Sequence, residues 1–383
     1  MPDAPQQVVV LGGGIGGQVV ATRLMQRLGT RARVRLIERS HAYTFPPSLL
    51  WLMVGDRSAQ AISRDYSTLR RRGVEVMRAT VEAIDTAASS VRTDQGTVAY
   101  DYLVIALGAT LDRGALPGVA EHAHDPYDLA GAARLRDALA GFGGGRVVVG
   151  IASLPYKCPA APYETAMLID GFLRRRGLRD RSEISVYTPE PLPMPVAGPF
   201  AGHSVAAELA ARSIGFNPTS QIDGVEAGVL RTQRGDVPFD LAVVIPPHRP
   251  PQAIAESGLT NPAGWLAVDR QTLRTRASNV YAIGDAVAIP LENGMLLPKA
   301  GVFAHGQAEA VAQNIAAQID GSLTEVAFAG HGLCFVETGD GKAGIASGDF
   351  YASPLPDVSL RRPSRLWHAG KVAFEQYWLR RWL

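Results

Sequence analysis

The chain has 383 residues, long for one hydrophobic core, so two α/β units are the expectation. A formal net charge of +2 with 19% charged residues gives no footprint for nucleic-acid binding. Only two cysteines, Cys158 and Cys334, are present, which excludes a disulfide scaffold, and no apolar run approaches the ~20 residues of a membrane span.

The opening "MPDAPQQ" passes directly into a predicted strand and leaves no room for a signal peptide. The strand, turn and helix that follow read "VVVLGGGIGGQVVATRLMQRL", with Gly12, Gly14 and Gly17 spaced as G-x-G-x-x-G. Such glycines let the backbone approach a pyrophosphate seated on the helix N-terminus. A second strand, "ARVRLIE", ends at Glu38 beside Arg39, about 20 residues on, where an acid holds a ribose. A bound dinucleotide is therefore expected. "YDYLVIALGAT" predicts a further buried strand that turns at Gly108.

"GRVVVGIASLPYKCPAAPYE" (145–164) starts like a second nucleotide unit and then departs from it. Its loop carries no glycine, and Pro155, Pro159 and Pro162 remove backbone donors, so NAD(P)H is not expected as electron donor. The loop holds Cys158 instead, next to Lys157 and ahead of a helix predicted near 162–176. A lysine and a helix N-terminus together predict a lowered thiol pKa; the alternative is two unreactive buried thiols. "VVIPPHRPPQ" (243–252) marks the return to the first unit, and "ASNVYAIGDAVAI" is a strand ending at Gly284 and Asp285. "LPKAGVFAHGQAEAVAQNIAAQI" reads as a loop with Lys299 followed by a helix. The tail combines Trp367, Phe374, Trp378 and Trp382 with Arg380 and Arg381, a composition suited to a membrane interface or to packing on the core or a dimer partner. The His and Cys residues show no ligand spacing, so no metal is expected.

The first glycine motif, the strand at 100–110 and the segment around Asp285 together resemble the FAD-binding pattern of the pyridine nucleotide–disulfide oxidoreductase superfamily. That resemblance implies an α/β fold with two Rossmann-like domains, the second inserted in the first. Residues 1–110 and 265–325 would then bind FAD, 111–264 would form the inserted domain, and 326–383 the C-terminal region. Asp285 would bond the ribityl chain of FAD. Lys299 and the helix after it would stabilise negative charge on the reduced ring.

The segment "PYKCPAAPYE", with Cys334 in "GHGLCFVETGDGKAGI", resembles the active-site segments of sulfide:quinone oxidoreductases and of the flavin subunit of flavocytochrome c sulfide dehydrogenase. The implied activity is FAD-dependent oxidation of sulfide to polysulfide or sulfur through the Cys158/Cys334 pair. Glu164 would be an acid/base by the same resemblance, against the alternative of an exposed helix-surface acid. Phe45 stands where the flavocytochrome subunit attaches FAD through cysteine, so FAD should be non-covalent. The tail resembles the C-terminal helix of sulfide:quinone oxidoreductases, in which Lys371 and Phe374 match positions lining the quinone pocket. Ubiquinone or menaquinone is the implied acceptor. The protein is expected as a monotopic, peripheral protein of the cytoplasmic membrane, with no nucleic-acid partner and with homo-oligomerisation left open. Many bacterial members carry a third cysteine, absent from "AEHAHDPYDLAGAARL" here. The alternatives are a cytochrome-coupled flavin subunit, a type II NADH:quinone reductase and a non-catalytic flavin-binding redox module.

Overall fold

A computed structural model of the chain describes residues 4–382. The β-branched run at the N-terminus forms a strand, Gln6–Leu11 (β1), whose last four residues are buried on both faces, as a central parallel strand requires. The glycine turn leads into helix Ile15–Leu28 (α1), which returns to strand Ala32–Glu38 (β2) alongside β1. The complete sheet runs 280–282, 102–105, β1, β2, 75–78, all parallel. Its fifth strand thus comes from far along the chain.

After β2 the segment "PPSLLWLM" forms a short helix, Leu49–Met53 (α2), buried throughout and packed mainly into the core of a second unit. That unit has a four-stranded parallel sheet in the order 214–217, 182–187, 145–151, 241–245. Strand Gly145–Ile151 (β3) feeds the proline-rich loop and helix Ala161–Arg175 (α3), one residue from the boundary expected at each end. Strand Ser182–Tyr187 (β4) follows, pairing with β3.

Helix Gly301–Ile319 (α4) packs against α1 and completes the first unit. An antiparallel meander then begins with His331–Gly339 (β5) and continues through 342–349 and 357–364. Two glycines let β5 lie close against α3. A Cβ on Gly339 would stand 2.7 Å from the Met167 carbonyl oxygen, and one on Gly171 would stand 3.3 Å from the Asp340 nitrogen. This contact brings the two cysteine-bearing segments together.

The chain ends in helix Arg365–Arg381 (α5), capped by Ser364, whose Oγ accepts from the Trp367 N–H at 3.3 Å. The expected interfacial tryptophans are corrected here. Trp378 and Trp382 are 2% and 1% exposed and lie in the core of the first unit. Lys371, Glu375, Trp378 and Trp382 recur at helical spacing, so this stripe faces inward. Leu366, Phe374 and Tyr377 are the large apolar residues that α5 leaves exposed, with Arg380 and Arg381 beyond them.

Candidate active site

The glycine turn after β1 has the shape of a dinucleotide cradle. A Cβ on Gly17 would sit 1.9 Å from the Gly12 carbonyl oxygen, so the turn and helix tolerate nothing larger. Gly14, in contrast, faces open space at the N-terminus of α1, which no side chain caps. The first N–H groups of α1 are thereby left for an anion. Glu38 ends β2 with its carboxylate at this mouth, accepting from the Gly13 N–H at 2.6 Å and the Ser40 N–H at 2.7 Å. Arg39 is exposed beside it, and Gly108 turns the next strand at φ +69°.

Across the sheet edge, a small cavity lies between the Gly284 turn and the start of α4, lined by Gly284, Val287, Leu297, Lys299, Ala300 and Gln307. Gln307 Oε1 accepts from the Gly284 N–H at 2.7 Å. Lys299 Nζ donates to the carbonyls of Asp285 and Val287 at 2.7 and 2.8 Å and lies 3.5 Å from the Trp265 ring centroid. Burial lowers the Lys299 ammonium to about 8, and burial raises the Asp285 carboxyl against the pull of Lys157 and Lys299. A glycine cradle, an acid at the strand end and a buried cation together fit FAD, so these residues could hold it.

The cysteine loop is fastened to this same region. The Cys158 N–H donates to the Lys299 carbonyl at 2.7 Å, and Lys157 and Lys299 pair as a short parallel bridge. Cys158 adopts φ +56°, a conformation that side-chain-bearing residues rarely occupy. Tyr127 Oη donates to the Cys158 carbonyl at 3.5 Å. Beneath the loop, Glu190 accepts from Tyr156 at 3.0 Å and from Tyr163 at 2.5 Å. Glu190 follows β4, where a nucleotide-binding unit would place a ribose acid; here it anchors the loop. His248 lies edge-on to Tyr127, donates from Nδ1 to the Pro246 carbonyl at 2.9 Å, and is held neutral by burial, to about 3.

Cys334 sits on β5, and both thiols are free and half-buried. The expected lowering of the Cys158 pKa is corrected. Burial pushes both thiols up, Cys334 to about 11, and the negative charge of Glu164 adds to the rise. Lys157 does not supply the offsetting charge, since its ammonium stands 5.9 Å over the Tyr127 ring and acts on His248 and Asp285. Lys371 supplies it instead, lowering both thiols.

Glu164 is 2% exposed, not a surface acid. Its Oε1 accepts from the Glu337 N–H at 2.8 Å and from Lys371 Nζ at 3.2 Å. Lys371 Nζ also lies 3.8 Å from Glu337 Oε1, and His368 Nδ1 is 3.1 Å from both oxygens of that carboxylate. Lys371, predicted beside a quinone, therefore also reaches the sulfur chamber. Phe374, 40% exposed, stands at its outer edge, with ring centroids 6.0 Å from Phe45 and 6.4 Å from Phe335. Glu337, His368, Glu190 and Tyr127 were not singled out from sequence. The one available signal was an acid inside the apolar run "CFVET".

Two parallel sheets, a glycine cradle and a buried charge cluster beside two free cysteines have the plan of a flavin-dependent oxidoreductase. The family model for pyridine nucleotide-disulphide oxidoreductases matches residues 6–308, and the chain belongs to that family. Within it, the chain is similar to the mitochondrial sulfide:quinone oxidoreductase of Mus musculus, 26% identical, covering 91% of this chain and 79% of that protein. It is 28% identical to the sulfide-quinone reductase of Aquifex aeolicus, covering 98% and 90%. The solved structure of the Aquifex aeolicus sulfide:quinone oxidoreductase superposes with a TM-score of 0.89 at 26% identity, covering 98% of this chain and 90% of that one.

Proposed function

We propose that this protein oxidises sulfide and passes the electrons to quinone, with FAD as cofactor and Cys158 and Cys334 as the redox pair. The observation that carries the reading is that two cysteines from distant segments share one carboxylate, Glu164, and one ammonium, Lys371. Residues 1–110 and 265–325 form the FAD unit in this reading, and 111–264 the inserted unit. Gly12, Gly14, Gly17, Glu38, Arg39 and Gly108 hold the dinucleotide end of FAD. Gly284, Asp285 and Lys299 hold its ribityl and ring end. When bound, FAD supplies the two-electron acceptor between the sulfurs and the quinone.

In this reading the reaction starts from the oxidised pair, Cys158 and Cys334 joined as a disulfide or through a bridging sulfur. Hydrosulfide attacks one sulfur of a Cys158–Cys334 disulfide: one S–S bond forms, one breaks, and a persulfide and a thiolate result. Lys371 stabilises that thiolate, and Glu164 takes or returns the sulfur proton. The strained Cys158 backbone, clamped by Lys299 and Tyr127, holds the sulfur in place. Phe45, Phe335 and Phe374 form the apolar wall beside which quinone is received, with Lys371 at its base. Phe45 offers no thiol, so FAD is held non-covalently.

No helix among the described residues is long and apolar enough to cross a membrane. The exposed face of α5, with Leu366, Phe374, Tyr377, Arg380 and Arg381, supports contact with the membrane surface from one side. The test is anaerobic: sulfide added to the FAD-loaded protein should bleach the flavin, and NADH should not. Cys158→Ser and Cys334→Ser should each retain FAD and lose the bleaching. Rapid reduction by NADH, or full activity in either variant, would overturn the reading.

A further inference from the structure

Glu164, Lys371, Glu337 and His368 form a continuous line of ionisable groups leading away from the cysteines. Glu164 faces both thiols and accepts from Lys371 Nζ at 3.2 Å; Lys371 stands 3.8 Å from Glu337; Glu337 meets His368 at 3.1 Å. The first three groups are 2%, 5% and 1% exposed, whereas the His368 side chain is 31% exposed on α5. Nothing in the cysteine chemistry requires Glu337 or His368, yet they extend the chamber to the surface.

We propose that Glu337 and His368 complete a proton wire between solvent and Lys371, which stands between the cysteines and the quinone wall, with His368 as its outer port. The proposal rests on the sulfide:quinone reading for its proton balance. Hydrosulfide and quinone give one sulfur atom and quinol: HS⁻ + Q + H⁺ → S + QH₂, two electrons passing from sulfur to quinone. The hydrosulfide brings one of the two protons, and water must supply the other. The wire is suited to that single proton. Two carboxylates around one ammonium carry a net negative charge, so the cluster can accept a proton without leaving an uncompensated positive charge in the interior. Burial raises Glu337, which makes it the carboxylate able to hold that proton, while both carboxylates keep Lys371 charged.

From α2 the Trp51 ring covers the Lys371 ammonium at 4.9 Å and meets His368 edge-on at 5.7 Å. Arg57 stacks on the same indole at 4.5 Å but pairs with Glu375, which also accepts from Ser48. The thiols of Cys158 and Cys334 close the inner end. Arg57 and Glu375 thus neutralise one another beside the line, and Tyr127 stands near its inner end, at Cys158 and Glu164.

The experiment follows proton uptake directly. Full-length FAD-loaded protein is photoreduced without oxygen and mixed with a short-chain soluble quinone in weakly buffered solution containing a pH-indicator dye. A parallel arm is started with sulfide instead of light. His368→Gln should slow proton uptake and turnover about tenfold in weak buffer, with quinone KM unchanged. Added imidazole should restore most of the rate by delivering protons to Glu337. Glu337→Gln should be equally slow, and imidazole should not rescue it, because the break lies inside the protein.

Wild-type uptake in His368→Gln, or a loss that imidazole leaves untouched, would overturn the wire. If Glu337→Gln loses FAD or its thermal transition, the His368 variant and its rescue decide alone. A silent sulfide arm beside a running photoreduced arm would refute the sulfide reading, while the wire would still be decided by the photoreduced arm.

Discussion

Glu164 and Lys371 compete for the same two sulfurs. The carboxylate raises both thiols and the ammonium lowers them, with burial the larger effect on each. Thiolate is the alkylating species and grows as pH rises towards the thiol pKa, so iodoacetamide should label the reduced protein slowly at neutral pH and faster as pH climbs towards 11. Glu164→Gln removes the negative charge and should shift labelling to lower pH; Lys371→Met should shift it to higher pH. Mass spectrometry of the labelled peptides checks both directions, and identical pH profiles in the three proteins would contradict the shared-charge arrangement. The sequence predicted the wrong direction for the Cys158 pKa. It offered Lys157 as the neighbour, whereas the charge that matters stands on Lys371, in the C-terminal helix. Chain adjacency carries no information about which way a long side chain points, and desolvation depends on neighbours that only the fold assembles.

Helix α5 has two faces with different work. Trp378 and Trp382 are buried, Trp382 under the Arg23 guanidinium at 5.3 Å and beside His305 at 5.4 Å. Trp382→Ala should cost about 3–5 kcal/mol in chemical denaturation, the usual loss for a buried large aromatic. Leu366→Gln and Tyr377→Gln should leave the denaturation midpoint nearly unchanged and weaken sedimentation with anionic liposomes, by about 2 kcal/mol for each side chain that inserts fully. Unchanged liposome binding in the double variant would remove this face from the membrane reading. Composition revealed an aromatic, basic helix, and the stripe formed by 371, 375, 378 and 382 was present in the sequence as spacing. The choice of inward face was not legible, because both stripes carry aromatic residues and only packing against His305 and Arg23 separates them. The strands and glycine turns were legible for the opposite reason. Their signals are local: β-branched runs, fixed glycine spacing and an acid at a strand end.

At the scale of the molecule, the first unit is built from both ends of the chain, and the end of α5, with Trp378, Leu379 and Trp382, lies in its core. Deleting residues from 365 onward should therefore unfold that unit, visible as loss of FAD and of the thermal transition, while Arg380→Gln combined with Arg381→Gln, both exposed, should be tolerated. FAD binds only the folded chain, so saturating cofactor should raise the midpoint of unfolding; at a thousandfold excess over Kd the gain is about 4 kcal/mol. Scanning calorimetry with and without FAD measures it. The bond from the Cys158 N–H to the Lys299 carbonyl adds a consequence of another kind. The peptide that carries Lys299 at the flavin end also sets the backbone of the reactive cysteine, so a disturbance on one side of this single bond is transmitted to the other. Cys158 is thus a built-in gauge: its rate of modification reads how firmly the opposite side of the seam is held.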